Sequence, residues 1–204
     1  MSATNRGAKR SVADFYGTPA WCVHRLLEMC PLPSGGRWLE PCAGDGAIIR
    51  ATNEWMRQPP KWYASDVRMD CEPALRPLAH RLWIGNHLLD CNPLAQRRYA
   101  VAITNPPFSI AWDFVWRTLP LAGFTVMLLR LNFLGSIKRH AQMQRHMPDI
   151  YVLPNRPSFT GGKTDATEYG WFVWYGQQER DHGNIVLLNL TSLKERTHDY
   201  DLST

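Results

Sequence analysis

A chain of 204 residues, 45% of them hydrophobic, can bury one sizeable core. Its five cysteines (Cys22, Cys30, Cys42, Cys71 and Cys91) include no C-x-x-C pair. That pattern excludes a disulfide framework and a zinc site, and it points to reduced thiols in a cytoplasmic protein. No apolar run reaches membrane length, and the net charge of +5 mildly favours an anionic partner.

In chain order, residues 1–12 are polar and basic, with Arg6, Lys9 and Arg10, and lack the apolar centre of a signal peptide. They are expected to form a disordered tail, or one that folds on nucleic acid; residues 13–204 are expected to form one domain. Thr18 to Met29 reads as a helix with Pro19 in its first turn. Trp38 and Leu39 end a first strand near 37–40. The sequence Glu40-Pro41-Cys42-Ala43-Gly44-Asp45-Gly46 then turns into a helix near 46–57. Gly44 and Gly46 permit backbone angles and close approach that a side chain would block, and the helix start presents free N–H groups. Ile49 stands where a dinucleotide fingerprint would need its third glycine. The acid at Glu40 instead suits a ligand with an ammonium group, such as the methionine part of S-adenosylmethionine.

A second strand near 62–66 ends at Asp66, about 20 residues beyond the glycine turn, the spacing of a ribose-binding acid. Asp66 also reads as a strand-end turn residue, and Val67 beside it can pack on an adenine ring. After a helix near 71–79, a third strand at 81–84 leads to Gly85-Asn86-His87. Asn86 is placed to read an adenine edge; His87 is a loop histidine or a ligand contact. The fourth strand, 99–104, runs into Asn105-Pro106-Pro107-Phe108. Two prolines stiffen the turn and remove two donors. The Asn105 side-chain oxygen and the Pro106 carbonyl can then accept both N–H bonds of one exocyclic amine, and Phe108 offers a flat face to a planar base.

Beyond this turn, a helix near 109–119, a strand near 123–130 and a helix near 135–146 follow, the last carrying Lys138, Arg139, His140, Arg145 and His146. These cations suit phosphates or a solvated face equally. Strands near 149–153 and 168–175 read as an edge hairpin, and 184–190 as a further short strand. The segment Asn155 to Thr167 is too polar for core and is a candidate substrate loop, with Arg156 and Lys163 reaching phosphates; a loop without contacts is the alternative. Phe159 is either a base contact or a core aromatic. The histidines lack the HExxH spacing of a helical metal site, so no metal is implied.

Taken together, these segments resemble class I S-adenosylmethionine-dependent DNA methyltransferases of the amino-methylating type, from about Ala13 to about Gly176. Phe15-Tyr16-Gly17-Thr18-Pro19 resembles the segment that closes over the methionine end of the cofactor, which gives Tyr16, Thr18 and Pro19 a cofactor role. Glu40 to Gly46 resembles the glycine motif, with Pro41, Cys42 and Ala43 in the cofactor turn, Asp66 the ribose acid, and Asn105 to Phe108 the catalytic motif. Arg130 to Ser136, Arg156 to Phe159 and Asp165 to Trp174 are similar to small phage-encoded adenine-N6 methylases. The resemblance implies a Rossmann-like α/β fold: a mostly parallel seven-stranded sheet with an antiparallel edge hairpin and helices on both faces. It also implies direct in-line methyl transfer to a flipped adenine N6 in DNA, in the cytoplasm (a host's, for a phage protein). Cytosine N4, RNA adenine, a protein glutamine, or a non-catalytic nucleic-acid-binding module are the alternatives. No segment is long enough for a large target-recognition domain. A homodimer and a partner subunit are both left open.

Overall fold

The computed structural model describes residues 17–159 and 166–197. Five strands follow one another in the same direction: β1 (Arg37–Glu40), β2 (Lys61–Asp66), β3 (Arg81–Ile84), β4 (Tyr99–Thr104) and β5 (Ala122–Arg130). Three more, β6 (Asp149–Val152), β7 (Tyr169–Trp174) and β8 (Ile185–Leu187), complete a sheet of order β3-β2-β1-β4-β5-β7-β6-β8. Of these eight, β7 alone runs against its neighbours.

The alternation of side chains along each strand divides the core in two. Trp38, Trp62, Ala64, Val101, Ile103, Val126 and Leu128 face one way. They meet helices α1 (Ala20–Met29) and α2 (Ala47–Trp55), which bury Trp21, Cys22, Val23 and Leu26, and Ile48, Ile49 and Ala51. The opposite face buries Met127, Leu129, Phe172 and Trp174 under helix α4 (Ala111–Thr118) and Met143 of α5 (His140–Arg145). Helices therefore cover both faces, as in the Rossmann-like methyltransferase fold. Trp171 donates its indole N–H to the Cys22 carbonyl at 2.9 Å and so ties β7 to α1.

Three details differ from the sequence expectation. The sheet has eight strands, because Ile185–Leu187 pairs in parallel with β6 and covers its open side. The antiparallel strand is interior, not at the edge: β7 inserts between β5 and β6, and all six of its residues are buried. A strand apolar on both faces belongs inside a sheet. Helix α3 is a single turn, Glu72–Leu75, since Pro77 has no N–H to continue the ladder. The tail 1–12, with Arg6, Lys9 and Arg10, lies outside the described residues.

The glycine turn shows how tightly the C-terminal edge is built. Gly46 takes φ +85° as the residue before α2, and a Cβ there would stand 2.5 Å from Leu78 Cδ1 and 3.3 Å from Leu75 Cδ2. Gly46→Ala is expected to destabilise the protein by about 1–3 kcal/mol through overpacking, with backbone strain added. The check is urea denaturation, in which the midpoint should fall while the slope stays constant.

Candidate active site

β1 and β4 lie side by side, with Trp38 opposite Val101 and Leu39 opposite Ala102. On the other side, Glu40 stands opposite Ala64 of β2. The ends of β1, β2 and β4 therefore come out together. Continuing the alternation, Glu40 shares the face of Trp38, Asp66 that of Trp62 and Ala64, and Asn105 that of Val101 and Ile103. All five reference residues belong to the core beneath α1 and α2. Three polar groups far apart in sequence thus meet on one face at one edge. That edge is the switch point of the sheet, where β1 is flanked by β2 on one side and β4 on the other.

Each of the three is held differently. Glu40 is 1% exposed, and its Oε2 has no hydrogen-bond partner. Burial pushes its carboxyl well above the usual carboxylate range; the charges of Asp45 and Asp66 add to this, and Arg50 partly offsets it. Asp66 is buried, but its oxygens are used: Oδ2 accepts the Gly44 N–H at 2.8 Å, and Oδ1 accepts the Arg68 N–H at 2.9 Å and its Nε–H at 3.2 Å. A second bond, Ala43 N–H to the Ser65 carbonyl at 2.9 Å, pins the glycine turn against β2. Asn105 is half-buried and donates from Nδ2 to Thr18 Oγ1 at 3.2 Å. With the amide so oriented, Oδ1 is left as an acceptor. Thr18 itself is buried, one residue ahead of Pro19 at the start of α1.

The remaining predicted residues surround this group. Pro106 is buried and Pro107 exposed. Cys42 has its carbonyl 3.5 Å from Thr104 Oγ1; burial, with the charges of Asp66 and Glu40, raises its thiol strongly and keeps it protonated. Val67 is 66% exposed beside Asp66. Asn86 is exposed, and its Oδ1 accepts the Leu88 N–H at 3.0 Å. His87 is buried on the opposite side of the sheet. Its Nδ1 lies 2.8 Å from Ser65 Oγ and 3.0 Å from Asn92 Nδ2, and its Nε2 has no partner. Tyr16 and Lys163 lie outside the described residues. Two surface hollows, one lined by Leu27, Trp55 and Met56 and one by Leu88, Trp116 and Arg117, contain none of these residues.

An aromatic group adjoins Asn105. Phe108 packs against Tyr169 with ring centroids 5.6 Å apart, and Phe159 meets the other side of the group with its edge to Tyr169 at 5.1 Å. The Arg130 guanidinium lies 4.8 Å from the Phe108 centroid, and its Nε–H donates to the Tyr169 hydroxyl at 3.1 Å. Phe108 and Phe159 are therefore brought together, while Arg156 forms an exposed ion pair with Glu168. Tyr169, Arg130, Arg68 and the Thr18 contact were not assigned these places from sequence. Arg130 closing the apolar run of β5, and Tyr169 opening the all-apolar β7, are the signals that mark two of them. Among the described residues no cluster of three or more His, Cys, Asp or Glu could hold a metal ion, and no helix is long and apolar enough to cross a membrane.

No family model matches this chain, and no curated protein matches its sequence. Solved structures do match in fold. The methyltransferase subunit of a type I restriction-modification system from Streptococcus thermophilus superposes with a TM-score of 0.68 at 12% identity, over 91% of this chain and 52% of its own. This chain thus spans about half of that subunit. A Listeria monocytogenes protein assigned to the class I S-adenosylmethionine-dependent methyltransferases gives 0.58 at 13%, covering 90% and 67%. The 23S rRNA methyltransferase ErmE gives 0.56 at 14%, covering 92% and 76%. At these identities the likeness is one of fold.

His87 gives this region a pH dependence. Burial lowers its pKa from 6.5 to about 4, and the Arg117 charge adds to the shift. Between these values the unfolded chain binds the extra proton. The contribution to stability is therefore complete above the unfolded value and is lost as pH falls through that window towards the folded one. The urea midpoint should fall on going from about pH 7 to about pH 5, and less steeply for His87→Asn. Equal slopes for the two proteins would remove His87 from the account.

Proposed function

We propose that this protein transfers a methyl group from S-adenosylmethionine to the exocyclic N6 amine of adenine in DNA. The observation that carries the reading is the meeting of Glu40, Asp66 and Asn105 on one face at the switch point, with acceptors left over on Glu40 and Asn105. The cofactor fits these residues. A buried carboxyl with an unbonded oxygen suits the methionine ammonium. Asp66, although it accepts three N–H bonds, keeps lone pairs for ribose hydroxyls. Val67 offers an exposed apolar side chain to the adenine ring, and Asn86 a polar one to its edge. Gly44 and Gly46, with Pro41, Cys42 and Ala43, leave a backbone-lined turn; Tyr16, Thr18 and Pro19 belong at the methionine end. His87 supports the turn from beneath, through Ser65, whose hydroxyl also reaches the Pro41 carbonyl at 3.3 Å.

When bound, S-adenosylmethionine supplies an electrophilic methyl group on a sulfonium. The chain's own residues prepare the amine. Asn105 Oδ1 and the Pro106 carbonyl accept its two N–H bonds, which favours a pyramidal nitrogen with its lone pair aimed outward. Thr18 holds the other end of the Asn105 amide, its Oγ1 accepting from Nδ2 at 3.2 Å. Pro106 and Pro107 keep both acceptors from relaxing, and positioning of this kind supplies most of the rate effect. A base taken out of the stack meets Phe108, which Arg130 and Tyr169 hold in place; such stacking is worth about 1–3 kcal/mol. Arg156 and Lys163 serve as phosphate contacts, and Phe159 as a second aromatic for the base. The second reading is the same chemistry on adenine in RNA; a 23S rRNA methyltransferase shares the fold.

Incubation with labelled S-adenosylmethionine and separated DNA, RNA and protein should place label in DNA as N6-methyladenine. Asn105→Ala is expected to lower kcat by at least about 100-fold while calorimetric cofactor affinity stays near that of the unaltered protein. Undiminished turnover by that variant refutes the catalytic assignment. Glu40 supplies an independent check. Its raised pKa means that it must release a proton to face an ammonium group, so cofactor affinity should rise with pH. Binding heats should then differ between buffers of different ionisation enthalpy, and Glu40→Gln should abolish the difference. Identical heats in every buffer for the unaltered protein count against Glu40 as the ammonium partner.

A further inference from the structure

The cations of this fold differ in what they meet. Many arginines stand within 4.0 Å of a carboxylate, as Arg50 does with Asp45, Arg117 with Asp90 and Arg180 with Asp149. Arg37, Arg57, Lys61, Arg81, Arg97 and Arg98 are exposed and make no ion pair among the described residues; Arg97 rests 5.7 Å from the Tyr63 ring. These six gather at one end of the sheet. Arg37, Lys61 and Arg81 are the first residues of β1, β2 and β3, Arg97 and Arg98 directly precede β4, and Arg57 lies in the loop entering β2.

Because β3, β2, β1 and β4 are adjacent and parallel, their first residues share the edge opposite to Glu40, Asp66 and Asn105. From β3 to β4 the row crosses three inter-strand gaps, about 14 Å in all. Arg37 and Lys61 stand directly opposite each other. Like charges in that register repel, and no carboxylate among the described residues pairs with either. The row is exposed and drawn out, without a buried polar group to enclose a single anion. Its form suits a ligand whose negative charges are themselves in a row.

We propose that this rim binds the phosphate backbone of a nucleic-acid duplex, as a second contact site on the far side of the sheet from the crevice. The site reads no bases. It holds one duplex segment by counter-ion release while the opposite edge is left to engage another. It goes beyond the methyl-transfer reading and does not depend on it.

The test is fluorescence anisotropy with the full chain and a fluorescein-labelled 20-base-pair duplex over a salt series. The variant carries Arg37→Gln, Lys61→Gln, Arg81→Gln and Arg98→Gln, and a thermal melt verifies its fold. Affinity at low salt should fall at least tenfold, and the slope of log K against log salt should drop by roughly 3–4, near 0.9 for each phosphate no longer neutralised. Lys61→Gln alone should lower it by about 1, which keeps the result readable if the fourfold variant fails to fold. An unchanged slope overturns the proposal. So does equal binding of polyglutamate with equal loss in the variant, which assigns the rim to acidic polypeptides. If the unaltered protein shows the full slope yet transfers no methyl group to any pool, the result counts against the earlier reading alone and leaves the rim proposal standing.

Discussion

β1 and β4 are neighbours in space although the whole of α2, β2, α3 and β3 lies between them in sequence. Their parallel pairing is the constraint on which the candidate site depends. It sets the glycine turn that follows β1 beside the proline turn that follows β4. Together with the pairing of β1 and β2, it also sets the parity by which Glu40, Asp66 and Asn105 come to one face. A slip of one residue in either pairing would turn one of these groups to the α4 face. Trp38, Val101 and Ile103, all fully buried, hold the register against such a slip.

That edge is also where the fold departs from minimum cost. A carboxyl buried without a partner on Oε2, and an imidazole whose Nε2 has none, are both unfavourable in a protein interior. Their surroundings press them in different directions: the acid resists ionisation and the histidine resists protonation. At neutral pH both therefore tend towards their uncharged forms. Asp66 shows the opposite solution. Its oxygens are met within the chain by Gly44 and Arg68, which fix its position.

Much of this was legible from sequence because it lies in local signals. The ends of β1, β2 and β4 were marked by an acid, an acid and Asn-Pro-Pro, and the alternation of strands and helices gave the layers. What was not legible arises from contacts between distant segments. Thr18 touches Asn105 across 87 positions, and Arg130 lies over Phe108 only because β4 and β5 are paired. The interior place of β7 was hidden by its closeness in sequence to β6, which suggested a hairpin; its unbroken apolar character, Tyr169 to Trp174, was the better guide. β8 was read as a short strand near 184–190, but three residues carry too little periodic signal to say which strand they pair with.

The interior place of β7 bears on how the chain is made. Synthesis runs from the N-terminus, so β5 and β6 leave the ribosome before the strand that must lie between them. Until Tyr169–Trp174 emerges, both present open edges able to pair with another nascent chain. Tyr169, the ring that supports Phe108, arrives with that last insertion. A fragment released by premature termination before β7 would thus carry the glycine turn and the proline turn yet lack the support for its aromatic wall.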